Sequence, residues 1–321
     1  FAQFQFATTL PSFRRDNNSP IDHTKDELPP YYPDDPVTRR NWANYLESMQ
    51  VLDAEIGVAL QWLQKEGEAD NTIVVYFGDN GRPHVRCKQW LYEGGIRVPM
   101  IVRWPGRIEP GTVVDDLVST VDLVPTLLAA LGVEPPEHLQ GYNILGAKKR
   151  TREYVFAARD RCDGTVDRIR CVRSKRYKYI RNYHPDKPYA QFNAYKKLQY
   201  PALTVMQVLH KQGKLTPDQA RFMAPTRPRE EFYDLQEDPH ELRNLADDPK
   251  HKKLVQTHSR KLDEWIKATG DQGETPEDPK VVEREQNNMA KNFVESMEKR
   301  DLSPTISDEG YLKWWEQKLL G

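Results

Sequence analysis

Residues 72–77, Thr-Ile-Val-Val-Tyr-Phe, form an almost unbroken apolar, β-branched run, and it closes on FGDNG at residues 77–81. Such a run predicts a strand buried on both faces of a parallel sheet. A long amphipathic helix precedes it. Trp42, Tyr45, Leu46, Met49, Leu52, Ile56, Leu60 and Leu63 recur at helical spacing over residues 37–66, and Gly67 follows as a cap. A helix running into a buried strand is half of a βαβ unit. In open α/β sheets ligands bind beyond the carboxyl ends of the strands, which is where Asp79 and Asn80 stand. A carboxylate and an amide oxygen are hard ligands suited to Ca²⁺ or Mg²⁺. Asp-Asn-Gly is equally a good turn.

The next segments continue the α/β pattern. Residues 98–104 read as a strand and 120–131 as a helix, with Asp122 at its start and Gly132 ending it. From about residue 150 the pattern changes. Residues 154–157 and 231–235 read as strands, and 167–180 as a basic hairpin. Helices are expected at 203–212, just after 238, and at 254–267. Residues 271–321 form a charged tail with one helix near 280–299 and an aromatic end, Tyr311 to Trp315. That end reads as docking back on the chain or on a neighbouring copy, giving a possible homo-oligomer through the C-terminal tail. Residues 1–10 alternate Phe4 and Phe6 with glutamines, as a half-buried strand does, so the chain opens like a fragment of a longer protein.

Lys plus Arg number 47 and Asp plus Glu 48, for a net charge of −1, which argues against nucleic-acid or membrane binding. No apolar run reaches the length of a transmembrane helix. Cys87, Cys162 and Cys171 lack CxxC or zinc spacing and read as separate thiols, with a Cys162–Cys171 bridge left open. The hairpin places Arg168, Arg170, Arg173, Lys175, Arg176, Lys178 and Arg181 around Tyr177 and Tyr179. That alternation fits a half-buried strand pair, or a surface that holds an anionic polysaccharide.

FGDNG, Lys88 and LYEGGIRVPMIVRWPG at 91–106 resemble the core of the formylglycine-dependent sulfatases, in the alkaline phosphatase superfamily. STVDLVPTLLAALG and EFYDLQEDPHELRNLADDP at 231–249 fit in order, so the resemblance spans roughly residues 1–270. It implies an α/β fold: a mostly parallel sheet flanked by helices, missing its N-terminal part, over residues 1–150. A small antiparallel α+β module over 151–270 and the helical tail over 271–321 follow. It implies that Asp79 and Asn80 are metal ligands, for Ca²⁺ with Mg²⁺ as the alternative. It implies that Lys88 contacts the sulfate and its bridging oxygen. His84 lies between them and reads as a general acid, a substrate contact or a structural histidine. Arg82 and Arg86 read as contacts to acidic sugar groups or as surface arginines. Arg159 and Asp160 read as rim contacts lent by the second module, or as a surface ion pair.

Two departures qualify the resemblance. The C/S-x-P-x-R motif that yields formylglycine is absent, and Leu10 stands where a histidine is expected. The implied function is hydrolysis of a sulfuric ester on a carbohydrate by an enzyme of which this chain is a part, inactive alone. Phosphate or phosphonate ester hydrolysis, or a non-catalytic sulfated-glycan-binding paralogue, are the alternatives. The partner implied is a sulfated saccharide. The implied compartment is periplasmic, secreted or lysosomal, with any signal peptide lost with the N-terminus.

Overall fold

The computed structural model describes residues 1–321. Helix α1, Pro36–Lys65, starts at Asp35, whose carboxylate accepts from the Val37 amide at 2.9 Å, with Pro36 in the first turn. Strand β1, Val74–Phe77, follows and pairs with β2, Met100–Arg103. Between them lies a one-turn helix, α2, Glu93–Ile96. Helix α3, Leu123–Ala130, continues from a 3₁₀ turn, Thr120–Asp122, whose start Ser119 and Asp122 close as a capping box.

The α/β class stands, with one correction to the expected sheet. β1 and β2 pair antiparallel, Val75 opposite Val102, so the parallel pairing expected of residues 72–77 is not seen. The link between them is a folded loop with a single helical turn, too little for the crossover helix that parallel neighbours require. Nor is β1 buried on both faces. Phe77 is 44% exposed, and Ile101 of β2, opposite Tyr76, is 61% exposed. Residues 1–10 form no strand, and Phe1, Phe4 and Phe6 are exposed.

The second half is an antiparallel meander in the order β3-β4-β5-β6: Val155–Cys162, Thr165–Arg173, Tyr177–Asn182 and Glu230–Asp234. Alternation sorts its side chains to two faces. Val172, Tyr179 and Phe232 pack with Leu262 of α7, Lys252–Thr269, on one face. Ile169, Cys171, Ile180 and Tyr233 face a larger core that includes Trp42, Trp90 and Tyr92. The expected boundary near residue 150 therefore does not separate two cores. Three short helices, α4 Ala194–Gln199, α5 Pro201–Lys211 and α6 Pro217–Met223, complete this half. α4 and α6 fall in a stretch that reads as loop, because each is barely two turns and is set by its cap, Asn193 or Thr216. The helix expected just after residue 238 is an irregular turn instead.

The tail forms α8, Pro279–Glu298, and α9, Asp308–Leu320. Met297, Tyr311 and Trp315 bury against Val37 of α1 and Val205 of α5. The aromatic end thus packs within its own chain. All three cysteines are free, so the Cys162–Cys171 bridge is not formed. The ladder explains it, because Cys171 lies opposite Ala157 and Cys162 opposite Thr165. The basic hairpin is largely neutralised by acids: Arg176 pairs with Asp234 at 2.6 Å, Arg181 with Asp263 at 2.6 Å and buried Lys178 with Glu93 at 2.7 Å. This is the half-buried strand pair.

Candidate functional site

The loop from β1 to α2 folds back on itself. The Gly81 amide donates to Gly95 O at 2.9 Å and the Arg82 amide to Gly94 O at 3.2 Å. A β-carbon on Gly81 would lie 2.0 Å from Gly94 O, and one on Gly95 would lie 2.0 Å from Trp90 O. Only glycine permits this approach, which explains Asp-Asn-Gly and Glu-Gly-Gly as a matched pair. The loop is then fastened to the second half. The Glu93 amide donates to Glu241 Oε2 at 2.7 Å, and Lys178 sits 2.7 Å from Glu93 and 2.9 Å from Glu241. The Tyr92 hydroxyl donates to buried Glu231 at 2.7 Å.

Asp79 is exposed at the end of β1, and Asn80 is half-buried beside it. The Asn80 amide NH₂ donates to Gly81 O at 2.7 Å, which leaves its carbonyl oxygen free to ligate. Two hard oxygens fit Ca²⁺ in kind, but Ca²⁺ takes about six to eight. No group of three His, Cys, Asp or Glu side chains that could hold a metal ion converges in the chain, so Asp79 and Asn80 would supply at most two of those oxygens. Lys88 is half-buried, and its ammonium lies 5.6 Å from the Tyr195 ring centre.

The other expected site residues are placed differently. His84 is buried in an aromatic box, with Tyr45 at 4.9 Å, Trp42 at 5.3 Å and Phe13 at 5.5 Å between ring centres. Burial, aided by Arg82, pulls its pKa down to about 3, so the ring is an uncharged imidazole at neutral pH. That enclosure, with neither ring nitrogen hydrogen-bonded, favours the structural reading of His84 over the general acid.

Arg86 is buried and donates to His240 O at 2.7 Å and Glu241 O at 2.5 Å while stacking on Tyr92. It clamps the loop to the 238–242 turn from a buried position, so it is no surface arginine. Arg82 points inward, donating to the Tyr31 hydroxyl at 3.0 Å. Asp160 is exposed and pairs with Arg170 at 2.8 Å, and Arg170 also reaches Asp271 at 2.5 Å. A register shift between Arg159 and Arg161 sends Asp160 outward and keeps Arg159 buried.

Of the second-module pair, only Arg159 faces the loop core. Its guanidinium lies 4.6 Å from the Trp90 ring centre and 3.7 Å from Asp167. Lys196 of α4 lies 5.1 Å from the same ring, and the expectations from sequence missed it. Nothing in the spacing of a loop-like, lysine-bearing segment marks one lysine as buried. A hollow of about 810 Å³ is lined by Phe6, Thr8, Leu10, Arg14, Glu55 and Val58 among others, and holds none of these groups.

Residues 13–133 match the family model described as Sulfatase, and residues 84–202 match that described as N-sulphoglucosamine sulphohydrolase, C-terminal. The chain is 38% identical to an ulvan-active sulfatase of Formosa agariphila over 79% of its own length and 43% of that protein's. It is 27% identical to the human N-sulphoglucosamine sulphohydrolase over 77% of its length and 52% of that protein's. It thus spans about half the length of the curated relatives it matches. Among solved structures, one in complex with its substrate D-glucosamine-2-N,6-O-disulfate superposes with a TM-score of 0.52 at 23% identity, over 74% of this chain and 43% of that one. A 2-O GAG sulfatase superposes with a TM-score of 0.53 at 22% identity, over 88% and 58%. These two establish the likeness of fold.

Proposed function

We propose, from the premise that this chain belongs to the sulfatase family, that it supplies the metal-side wall of a site hydrolysing sulfate esters on a carbohydrate. The observation that carries this reading is the β1–α2 loop. It joins a carboxylate and an amide oxygen at a strand end to a lysine whose ammonium forms no ion pair, within one glycine-closed turn. The names of the matched relatives, an ulvan-active sulfatase and an N-sulphoglucosamine sulphohydrolase, support a sulfated carbohydrate as the substrate class.

In this reading Asp79 and Asn80 hold a divalent cation, Ca²⁺ in preference to Mg²⁺, because an open, irregular loop suits the flexible coordination of calcium. When bound, the cation supplies positive charge for the sulfate oxygens. Formylglycine is the family's nucleophile, and no residue of this chain is assigned to it. Lys88 holds its ammonium toward the bridging oxygen and offsets the charge that grows there as the S–O bond breaks. The clamp at Arg86 and the Glu93–Lys178–Glu241 cluster keep the loop in place, and His84 packs it from behind. No helix is long and apolar enough to cross a membrane. A periplasmic, secreted or lysosomal setting is part of the same proposal, and cell fractionation checks it.

The test is turnover of sulfated oligosaccharides by the natural full-length protein. Lys88→Ala and Asp79→Asn are each expected to lower kcat about 100-fold or more, and Asp79→Asn to remove Ca²⁺ binding measured by calorimetry. Unchanged turnover in both variants would overturn the assignment, as would a preference for phosphate esters.

A further inference from the structure

Beneath the candidate site lies a buried excess of positive charge. Arg159, Arg227 and Lys196 are all 8% exposed or less. The carboxylate among them is Asp167, and Arg227 takes both of its oxygens, one at 2.8 Å. Gln191 donates to the same carboxylate at 2.9 Å. Arg159 reaches that carboxylate only at 3.7 Å, without a hydrogen bond. Its side chain is 5% exposed, and none of its three guanidinium nitrogens has a hydrogen-bond partner. Lys196 shares the Trp90 face with Arg159 and forms no ion pair. The Trp90 indole nitrogen, on the ring that Arg159 and Lys196 share, is also buried without a partner. Several unpaired donors and two cations without a hydrogen-bonded carboxylate are costly to bury, since an unpaired charge in the interior loses its hydration with nothing in return. A small anion removes that cost.

We propose that Arg159 and Lys196, on the face of Trp90, form an oxyanion subsite that holds a second anionic substituent of the saccharide, a carboxylate or a further sulfate. The identity of that ligand rests on the sulfatase reading above. Lys88, Lys196 and Arg159 all lie close enough to Cys162 to oppose the rise that burial causes in its thiol pKa, which sets the subsite beside Lys88. Guanidinium and ammonium groups divide the work. Arg159 offers a planar fork that matches two oxygens of a carboxylate or sulfate, and Lys196 a point charge.

The electrostatics of the cluster agree. Burial, with Arg159 as a like-charged neighbour, pulls the Lys196 pKa down to about 7. Cys162 of β3, Asp163 of the β3–β4 turn and Cys87 of the site loop act the other way. Burial likewise draws Arg159 down to about 10, with Arg227 adding to it and Asp167 opposing. The site therefore holds its full positive charge below pH 7 and loses that of Lys196 above it. An oxyanion bound there favours protonated Lys196, so binding takes up a proton near neutrality.

Inorganic sulfate titrated into the metal-free protein is the first probe, read as a rise in Tm and by calorimetry in two buffers of different ionisation enthalpy. Affinity is expected to fall about tenfold from pH 6 to pH 8, with proton uptake at pH 7. Lys196→Met and Arg159→Met are each expected to keep or raise the sulfate-free Tm, because each removes a buried cation without a hydrogen-bonded carboxylate, and to abolish the sulfate-dependent rise. Lys88→Ala is expected to leave that rise in place. A glucuronate-type sugar without sulfate should compete with the ion, and a neutral sugar should not. The inference is overturned if sulfate fails to bind, if binding survives both Met variants, if it is lost in Lys88→Ala instead, or if the acidic sugar does not compete. Asp79→Asn separates the two readings: it should keep sulfate binding while losing turnover. Persistence of turnover in that variant would remove the metal-ligand assignment of Asp79 and leave the subsite standing.

Discussion

The two halves of this chain spend their apolar residues differently. After residue 150 the apolar side chains are enclosed, Val172, Tyr179, Phe232 and Leu262 almost completely. Before it, the N-terminal part of α1 packs through Val37, Trp42 and Leu52, but Leu60 and Trp62 near its other end lie in solvent. All but three of the exposed large apolar side chains lie before residue 134, the exceptions being Phe192, Val294 and Leu320. A two-stranded sheet is marginal by itself, and that is all β1 and β2 make. The difference shows what holds the candidate loop in position. Its support comes from the second half, through Arg86, Glu93 and Tyr92, more than from the sheet that delivers it.

Four measurements bear on this contrast, in falling order of effect. Asp167→Asn strips the carboxylate from between Arg159 and Arg227 and is expected to cost about 3–5 kcal/mol, read from urea unfolding. A cost below about 1 kcal/mol would mean the cation cluster is already compensated. Leu262→Ala is expected to cost about 2–5 kcal/mol, since the side chain is fully buried. Leu131→Ala, at a position 73% exposed, should stay within about 0.5 kcal/mol. Equal costs would erase the distinction between the halves.

The third measurement is a pH dependence. The folded-state pKa of His84 lies near 3, below its unfolded value near 6.5, so the unfolded chain binds a proton that the folded chain excludes. Its contribution is intact above pH 6.5 and is lost as pH falls toward 3. His84→Phe should flatten the acid limb of the stability curve by about 1.4 kcal/mol per pH unit in that window. Identical slopes would place the ring in contact with water. The smallest effect is expected from Ile101→Lys, at an exposed position on β2. Stability should move by less than about 0.5 kcal/mol while self-association, followed by light scattering, decreases, because a lysine discourages sheet-edge pairing.

Much of the fold was legible in the sequence because periodicity reports local structure. α1, β1, β2, α7 and α8 all lie where their apolar spacing or composition puts them. Strand direction was not legible. A run such as Val74 to Phe77 fits a buried strand, but only its partner decides whether pairing is parallel and whether both faces are covered. Asp79, Asn80 and Lys88 could be singled out because the glycine turn that carries them is written in consecutive residues. Arg82 and Arg86 look the same in sequence as substrate-binding arginines. Their inward course follows from contacts with Tyr31, His240 and Glu241, two of them some 150 residues away along the chain. Lys196 was invisible for the same reason: its burial depends on Trp90 and Arg159, which only the folded chain brings to it.

Glu231 accepts from Tyr92 at 2.7 Å, from Tyr233 at 2.5 Å and from Asn182 at 2.7 Å, all in the interior. Loss of any one donor leaves a buried carboxylate short of a partner, and loss of Glu231 leaves three donors stranded at once. Four positions spread over some 140 residues are therefore coupled energetically, and a change at one acts on the other three.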